Sequence, residues 1–305
     1  MSEFRRRLLA KKDNGELKEN EILAVYDVTT TESATKLLGT TYIAFIEKMY
    51  IEDNKITPTN SYIFDSIGVK YVRIKVNTPY LNSLFLNCTQ LIECDLSNLN
   101  ITKTISGQAA FSGCANLKQC KLPSTQLLRV FNSFFKGCKL LQSIPFIDTI
   151  NGIDMNYFIS GCRGITEISS FYLSNANTVQ GTFSSLNVTS IPKLNMSKAT
   201  NGSHLFHECR QLISIDLIDL SNCNSLEKAF ITNTKLKHLE GIVGLKCNVN
   251  FSNSPLTPLS VHNLITNAAG NFTLILQSTA KTNWQNSEYY NADQAMATEK
   301  LITIQ

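Results

Sequence analysis

The sequence predicts an α+β repeat solenoid of coils about 24 residues long with short parallel strands, between a small β-rich N-terminal domain and a mixed C-terminal cap. One phrase recurs along the middle of the chain: an aromatic residue, two further residues, a cysteine and then Leu-x-x-Ile-x-Leu. The cysteines at 88, 114, 138 and 162 are separated by 26, 24 and 24 residues. A period in the twenties is typical of a stacked solenoid, because a single coil cannot bury its own apolar stripe.

The cysteine positions predict seven coils. Five copies of the phrase keep the cysteine: Cys88, Cys114, Cys138, Cys162 and Cys209. Two copies are degraded. Ser185 takes the slot in one of them, which is one residue shorter between its aromatic and the slot, and Asn233 takes it in the other.

Each phrase predicts two local structures. In Leu-x-x-Ile-x-Leu, alternation suits a short parallel strand with Ile and the second Leu pointing inward. The second Leu position is filled by Leu96, Leu122, Phe146 and Leu217. In the Phe-x-x-Cys segment, a single helical turn would bring the aromatic ring and the sulfur to one face. Cysteine serves there as a small apolar residue where coils approach closely.

Composition is that of an ordered chain with a large polar surface. Of the 305 residues, 43% are hydrophobic and 17% charged, and the net charge of +4 gives no case for nucleic-acid binding. Five of the nine cysteines occupy the ladder slot, and Cys94 and Cys120 replace the strand isoleucine. These regular inward positions favour buried, reduced thiols over disulfides or zinc ligands.

The chain divides into four predicted regions. Residues 1–20 form a basic arm, 21–80 a β-rich domain, 81–245 the solenoid and 246–305 the cap. Strands are predicted from the apolar runs at 22–28, 42–46, 49–51, 61–64 and 71–76, and this unit is expected to cover the N-terminal end of the stack. In the cap, helices are predicted at 259–267 and 291–300 and strands at 272–276 and 301–304.

The arm has two interpretations. Its candidate anchoring residues are Phe4, Arg5, Arg6, Arg7 and Leu8. They either dock on a partner surface or belong to a solvated, frayed end; the apolar residues in the arm favour docking. The basic start is not followed by an apolar stretch of the kind a secretion signal needs, and no apolar run is long enough to predict membrane insertion.

The phrase from Ala110 to Leu117, Ala-Phe-Ser-Gly-Cys-Ala-Asn-Leu, resembles the bacterial surface-antigen A type (BspA-like) leucine-rich repeat. Three segments, 2–8, 24–29 and 259–265, resemble leucine-rich-repeat proteins of gut Bacteroidales (crAss-like) phages. That resemblance implies a virion fibre or decoration, assembled in the host bacterial cytoplasm and attached to capsid, tail or fibre proteins. It also implies a homotrimer that contacts a host-surface glycan or protein. The alternative is a bacterial surface adhesin that binds host matrix or glycans.

One face of the solenoid is the candidate binding surface. Residues on either side of the strand isoleucine should point outward: Glu93, Asp95, Gln119, Lys121, Glu167, Asp216 and His238. This face is polar, carries charges of both signs and has no aromatic anchors. A solvated sheet surface is therefore favoured over a specific binding site.

No motif indicates catalysis, and we expect no catalytic residue, cofactor or metal. Glu93 and Asp95 are the only, weak, candidates for a carboxylate pair of a carbohydrate-active enzyme. The pair His204 and His207 could place two ligands on one helical face, but the neighbouring Cys209 belongs to the buried ladder.

Overall fold

The computed structural model describes residues 17–77, 79–168 and 171–305. The N-terminal region is built from antiparallel strands: β1 (Glu21–Val28), β2 (Thr35–Lys36), β3 (Ile46–Ile51), β4 (Asn54–Ile56), β5 (Ser61–Tyr62) and β6 (Gly68–Val76). Strand β1 pairs antiparallel with β6 on one edge and with β7 (Leu91–Asp95), the first strand of the solenoid, on the other. One sheet therefore runs from the N-terminal region into the solenoid and covers its first coil.

The prediction of a strand at 42–46 is wrong. Most of this run belongs to a 3-10 helix at Thr40–Phe45. The Tyr42 ring is fully buried and stacks on the ring of Tyr80 at 4.8 Å, and the Tyr42 hydroxyl donates a hydrogen bond to the Tyr80 carbonyl at 3.0 Å. This tertiary contact outweighs the β propensity of the run.

Three parallel ladders join the coils. The first, the strand face, has two separate parts: β7 pairs with β8 (Gln119–Lys121), and β9 (Ser190–Ile191), β11 (Ser214–Ile215) and β13 (His238–Leu239) form a second sheet. The second contains β10 (Leu194–Asn195), β12 (Ile218–Asp219) and β14 (Ile242–Val243). The third is a row of single bridges through residues 106, 130, 154, 178, 201 and 225. Steps of 23 or 24 residues along this row show that the coils stack in register.

The prediction of a helical turn in each aromatic–cysteine segment is wrong. Each segment is a run of tight turns. Alternate N–H groups bond to the next coil, as Phe85 N–H does to the Ala110 carbonyl, and the others bond three residues back. Two residues of each segment adopt left-handed φ values; in the first coil these are Ser83 at 53° and Asn87 at 58°. Ring and sulfur nevertheless both point into the core, as the fully buried Phe111 and Cys114 do. The rings of successive coils stack there, and Phe111 lies 5.5 Å from the ring of Phe85.

The fifth coil corrects the predicted alignment, because Leu186, and not Ser185, fills the cysteine slot. Ser185 has a φ of 56° and lies at the left-handed position occupied by Gly161 (74°) one coil earlier. Leu186 is fully buried. The residue missing from this coil therefore lies between Leu186 and Val188, after the slot, and the spacing from Phe183 to the slot is intact. We number the coils 1 to 7 by slot residues 88, 114, 138, 162, 186, 209 and 233.

The second Leu of the phrase points fully inward only at Leu96. Leu122 and Leu217 are half-buried, and Phe146 is 93% exposed. The chain turns a corner after the strand isoleucine, so the next inward residue is three positions on, not two. Pro123, Leu194, Ile218 and Ile242 are buried at this position, and Ile147 and Phe171 are half-buried against the core. The turn was not visible in the Leu-x-x-Ile-x-Leu alternation, which continues past it.

The C-terminal cap extends the stack with parallel strands and three helices: β15 (Val249–Phe251), α1 (Pro258–Thr266), β16 (Phe272–Leu276), α2 (Ser278–Gln285), α3 (Tyr290–Glu299) and β17 (Ile302–Ile304). Helix α2 was not predicted. The indole N–H of its Trp284 donates to the fully buried Asp293 carboxylate at 2.8 Å, and that carboxylate also contacts His262 Nδ1 at 2.7 Å. The Lys300 ammonium donates to three carbonyls at the end of α1, which satisfies groups that a helix leaves free there.

Candidate interaction surfaces

The ladder thiols form a column inside the solenoid. Each sulfur beyond the first donates to the carbonyl of the aromatic residue one coil earlier, as Cys138 Sγ does to Phe111 at 3.1 Å and Cys209 Sγ to Phe183 at 3.0 Å. Burial raises the pKa of Cys209 to about 12. Since the thiolate is the reactive form and these sulfurs are buried, the column supports packing and not chemistry. Cys88, Cys114, Cys138, Cys162 and Cys209 are all fully buried free thiols.

The strand face is polar and mostly exposed. Five of its predicted residues have exposed side chains: Gln119, Lys121, Glu167, Asp216 and His238. Glu93 is half-buried, because it pairs with Val25 of the neighbouring strand β1. The Glu93 carboxylate accepts a hydrogen bond from the Gln119 amide at 2.8 Å.

Asp95 departs from the prediction of an outward, free residue, because it is buried. Its carboxylate accepts from the Ser97 N–H at 3.0 Å, from the Ser97 hydroxyl at 2.6 Å and from the Lys121 ammonium at 3.1 Å. Burial raises the pKa of this carboxyl, but these donors outweigh it and the net pKa is lowered. Asp95 therefore stabilises a turn, and a carboxylate so occupied does not suit the acid–base pair of a glycosidase.

The strand face ends in a shallow cavity of about 200 Å³ against the cap. Asp216, His238 and Glu240 line it from the coils, and Leu259 and Asn263 line it from α1. The sequence placed Asp216 and His238 on one face but gave no sign that α1 closes the end of that face. No group of three His, Cys, Asp or Glu side chains within 17–77, 79–168 and 171–305 is arranged to hold a metal ion.

His204 and His207 lie near each other without forming a ligand pair on a helix. Their rings pack edge to face with centroids 5.1 Å apart. Burial lowers the pKa of His204, and the neighbouring His207 and Lys228 lower it further. Both histidines belong to the turn segment of coil 6.

Two exposed aromatic residues lie on adjacent middle coils, and we call them the aromatic patch: Phe146, 93% exposed, and Tyr172, 65% exposed. The coils that carry them are tied by Thr149, whose hydroxyl accepts from the Tyr172 N–H at 3.2 Å and donates to the Tyr172 carbonyl at 2.9 Å. Exposed aromatic side chains are typical of contact surfaces. The sequence missed Phe146 because the phrase predicted it inward; the preceding Pro145, which interrupts a strand, was the available signal.

The predicted anchoring arm, Phe4, Arg5, Arg6, Arg7 and Leu8, lies outside the described residues. No helix in the described part of the chain is both long and apolar enough to span a bilayer.

A family model described as the BspA type leucine rich repeat region matches the chain in six copies, over residues 42–166 and 132–249. The two segments overlap and together cover more than half of the chain. The first begins inside the antiparallel N-terminal region, where the recurring phrase is not recognisable. No curated protein and no solved structure matches the chain.

Proposed function

The chain belongs to the BspA type leucine-rich repeat family, and we propose that it is a non-enzymatic attachment protein of a phage virion. In this proposal it is a fibre or a decoration of the head or tail. Its N-terminal region attaches to capsid, tail or fibre proteins, and the solenoid projects outward to contact a host-surface glycan or protein. Family membership supports the coarser part of this proposal, a surface or adhesin-type role, and repeat solenoids of this kind are typically non-enzymatic.

The aromatic patch is the observation that carries the attachment role. A phenylalanine ring that is 93% exposed contributes nothing to the core, although its slot in coil 1 holds the fully buried Leu96. Aromatic residues dominate the contact energy of many interfaces because they bury a large area with few rotatable bonds. A partner that covers Phe146 and Tyr172 would remove both apolar surfaces from water.

The virion assignment is supported by the resemblance of segments 2–8, 24–29 and 259–265 to leucine-rich-repeat proteins of gut Bacteroidales phages. The same resemblance supports a homotrimer and a virion location reached after assembly in the bacterial cytoplasm. The arm with Phe4, Arg5, Arg6, Arg7 and Leu8 is the proposed anchor, since it combines cationic and apolar side chains suited to a grooved or acidic surface.

A bacterial surface adhesin is the second candidate, and membership of the BspA type family is the observation that favours it. The two candidates differ in where the protein is found. Cryo-microscopy of purified phage particles should show seven stacked coils projecting from the virion. Absence from mature particles, together with labelling of the protein on intact bacterial cells and a processed N-terminus by mass spectrometry, would establish the adhesin instead.

Two sets of variants separate anchoring from attachment. Deletion of residues 1–20 should abolish incorporation into particles without unfolding the solenoid. The double variant Phe146→Ser/Tyr172→Ser should be incorporated normally but lose at least tenfold in binding of particles to host cells. The matched control is Gln119→Ser/His238→Ser on the polar strand face. Equal losses in the two double variants would show that the aromatic patch is not the contact.

A further inference from the structure

A carboxylate lies beside the two rings of the aromatic patch. The Thr149 hydroxyl bonds to the N–H and the carbonyl of Tyr172. The Thr125 hydroxyl bonds in the same way to Asp148, with distances of 2.8 Å to its nitrogen and 3.3 Å to its carbonyl oxygen. Tyr172 and Asp148 therefore occupy equivalent positions of adjacent coils, and such positions lie about 4.8 Å apart. Phe146 is two residues before Asp148 with one inward residue between them, so all three side chains lie on one face.

An amide lies on the other side of Tyr172. Tyr172 directly follows Phe171, the residue of coil 4 that packs against the core at this corner. Asn195 directly follows Leu194, which is buried at the same corner of coil 5. Asn195 is therefore equivalent to Tyr172, and it is exposed. A tyrosine that is 65% exposed thus lies between a carboxylate on coil 3 and an amide on coil 5.

Both polar side chains are held in one orientation by their own turns. Asp148 Oδ1 accepts a hydrogen bond from the Ile150 N–H at 3.0 Å. Asn195 Oδ1 accepts one from the Ser197 N–H at 3.1 Å. Within the described part of the chain, Asp148 Oδ2 and Asn195 Nδ2 have no hydrogen-bond partner. One acceptor and one donor group are therefore oriented beside the rings before any ligand arrives, which reduces the entropy lost on binding.

The size of the patch indicates a small ligand. One aromatic side chain offers about 150–250 Å² of contact area, so two offer no more than about 500 Å². A stable protein interface needs about 800 Å² from each partner. Along this face the apolar surface is interrupted, because Ser124 on coil 2 and Lys193 and Asn195 on coil 5 are polar and exposed at the positions equivalent to those of the two rings. The area suits a ligand the size of a few sugar units better than a protein.

We propose that the aromatic patch, together with Asp148 and Asn195, is a saccharide-binding site. This inference rests on the attachment role proposed above and names the class of its ligand. The C–H groups on one side of a pyranose ring pack against the electron-rich faces of Phe146 and Tyr172. Asp148 Oδ2 accepts a charge-assisted hydrogen bond from one sugar hydroxyl, and Asn195 Nδ2 donates to the oxygen of another. Apolar contact with a few oriented polar groups is typical of small-ligand sites.

The first test is binding of the labelled full-length protein to the bacterial cells that the particles attach to. Cells oxidised with periodate and then borohydride, which cleaves the vicinal diols of sugars, should bind at least tenfold less protein than untreated cells. Unchanged binding after periodate, with loss of binding after proteinase treatment, would overturn the saccharide assignment and leave the attachment role intact. Absence of binding to untreated cells would instead overturn the attachment role, and the saccharide site with it.

The second test separates a stacking ring from a merely apolar contact. Polysaccharide purified from the same cells is titrated into the full-length protein in a calorimeter. Tyr172→Leu keeps an apolar side chain but loses the ring, and it should lower the affinity at least tenfold. Tyr172→Phe keeps the ring and should lower the affinity about threefold at most. Equal losses in the two variants would overturn stacking of a sugar on this ring.

The third test concerns the carboxylate. Asp148→Asn keeps an oxygen for the Ile150 N–H but removes the charge from the sugar-binding acceptor, and it should lower the affinity for the polysaccharide about tenfold. Asp219→Asn is the matched control. Asp219 pairs with Asn195 in the next coil and accepts from the Ser221 N–H at 3.0 Å, but it lies two coils from Tyr172. This control should bind as the unaltered protein does, and equal losses in both variants would overturn the role of Asp148.

Discussion

The aromatic–cysteine segments have the same structure in every coil, whereas the strand face does not. On the aromatic–cysteine side, all seven coils share the left-handed residues, the coil-to-coil hydrogen bonds and the buried slot residue. On the strand face, strands form in coils 1 and 2 and in coils 5 to 7, but not at 142–146 or 166–168. Inward apolar residues are therefore enough to stack coils. A strand also needs backbone hydrogen bonds to the neighbouring coil.

Two prolines explain why coil 3 does not pair with coil 2 and why coil 5 does not pair with coil 4 on this face. In coils 6 and 7, the residue after the strand's inward position donates its N–H to the previous coil: Asp216 to the Ile191 carbonyl and Glu240 to the Ile215 carbonyl, each at 3.0 Å. Pro145 in coil 3 and Pro192 in coil 5 occupy this position and have no N–H to donate. Accordingly β8 pairs only with β7, and β9 pairs only with β11.

Removing one ring from the stack of buried phenylalanines, the aromatic column, should have the largest effect on stability. Phe111 is fully buried between the rings of Phe85 and Phe135, at 5.5 and 5.2 Å. We expect Phe111→Ala to lower the free energy of unfolding by about 3–5 kcal/mol, since it leaves a cavity inside the stack. The same change at exposed Phe146 should cost less than about 0.5 kcal/mol. Chemical denaturation measures both, and similar costs would contradict the division into a buried column and an exposed patch.

On the strand face, the largest effect is expected at its one buried carboxylate. Asp95→Asn should cost about 1.5–3 kcal/mol, because the hydrogen bonds from Ser97 and Lys121 lose their charged acceptor. Asp216→Asn, on the same face but exposed, should be nearly neutral.

The Asp95 effect should depend on pH in a defined direction. The lowered pKa of Asp95 in the folded protein means that its contribution is complete above the unfolded value of about 4 and disappears as the pH falls through the folded value. Unfolding free energies measured between pH 7 and 2 should fall less steeply for Asp95→Asn than for the unaltered protein. Parallel acid profiles would contradict the assignment.

Left-handed positions of the turn segments should show a smaller effect. Gly137 has a φ of 75°, and a Cβ there would meet nothing closer than 3.8 Å. Gly137→Ala should therefore cost about 1–2 kcal/mol through backbone strain alone. Thr232, a β-branched residue at the equivalent position with a φ of 69°, offers the reverse change. Thr232→Gly should stabilise the protein, and destabilisation by this variant would show that its side chain has contacts that outweigh the strain.

The sequence predicted whatever depends on inward spacing: the period, the number of coils, the buried cysteines and four elements of the cap. It did not predict features set by contacts between coils. Ser185 was assigned to the cysteine slot because Val188 and Ile191 follow it at the full spacing of the phrase, although Leu186 had the correct distance from Phe183. Phe146 looked inward because alternation does not reveal the corner of the coil. The cavity beside His238 depends on how the cap folds back, which no local pattern encodes.

The smallest effect on stability should come from repairing the strand face at coil 5. Pro192→Asp introduces the residue that coil 6 has at this position and restores an N–H directed at the carbonyl of Ile168 in coil 4. The new hydrogen bond should contribute about 0.5–1.5 kcal/mol, while loss of the proline ring restores about 0.4–1 kcal/mol of unfolded-chain entropy, so the net change should be close to zero. Hydrogen exchange separates the two terms, because the amide at 192 should become as protected as that of Asp216. If that amide instead exchanges rapidly, the missing N–H is not what interrupts the strands, and the partly exposed Ile168 would mark a coil too loosely packed to present its carbonyl.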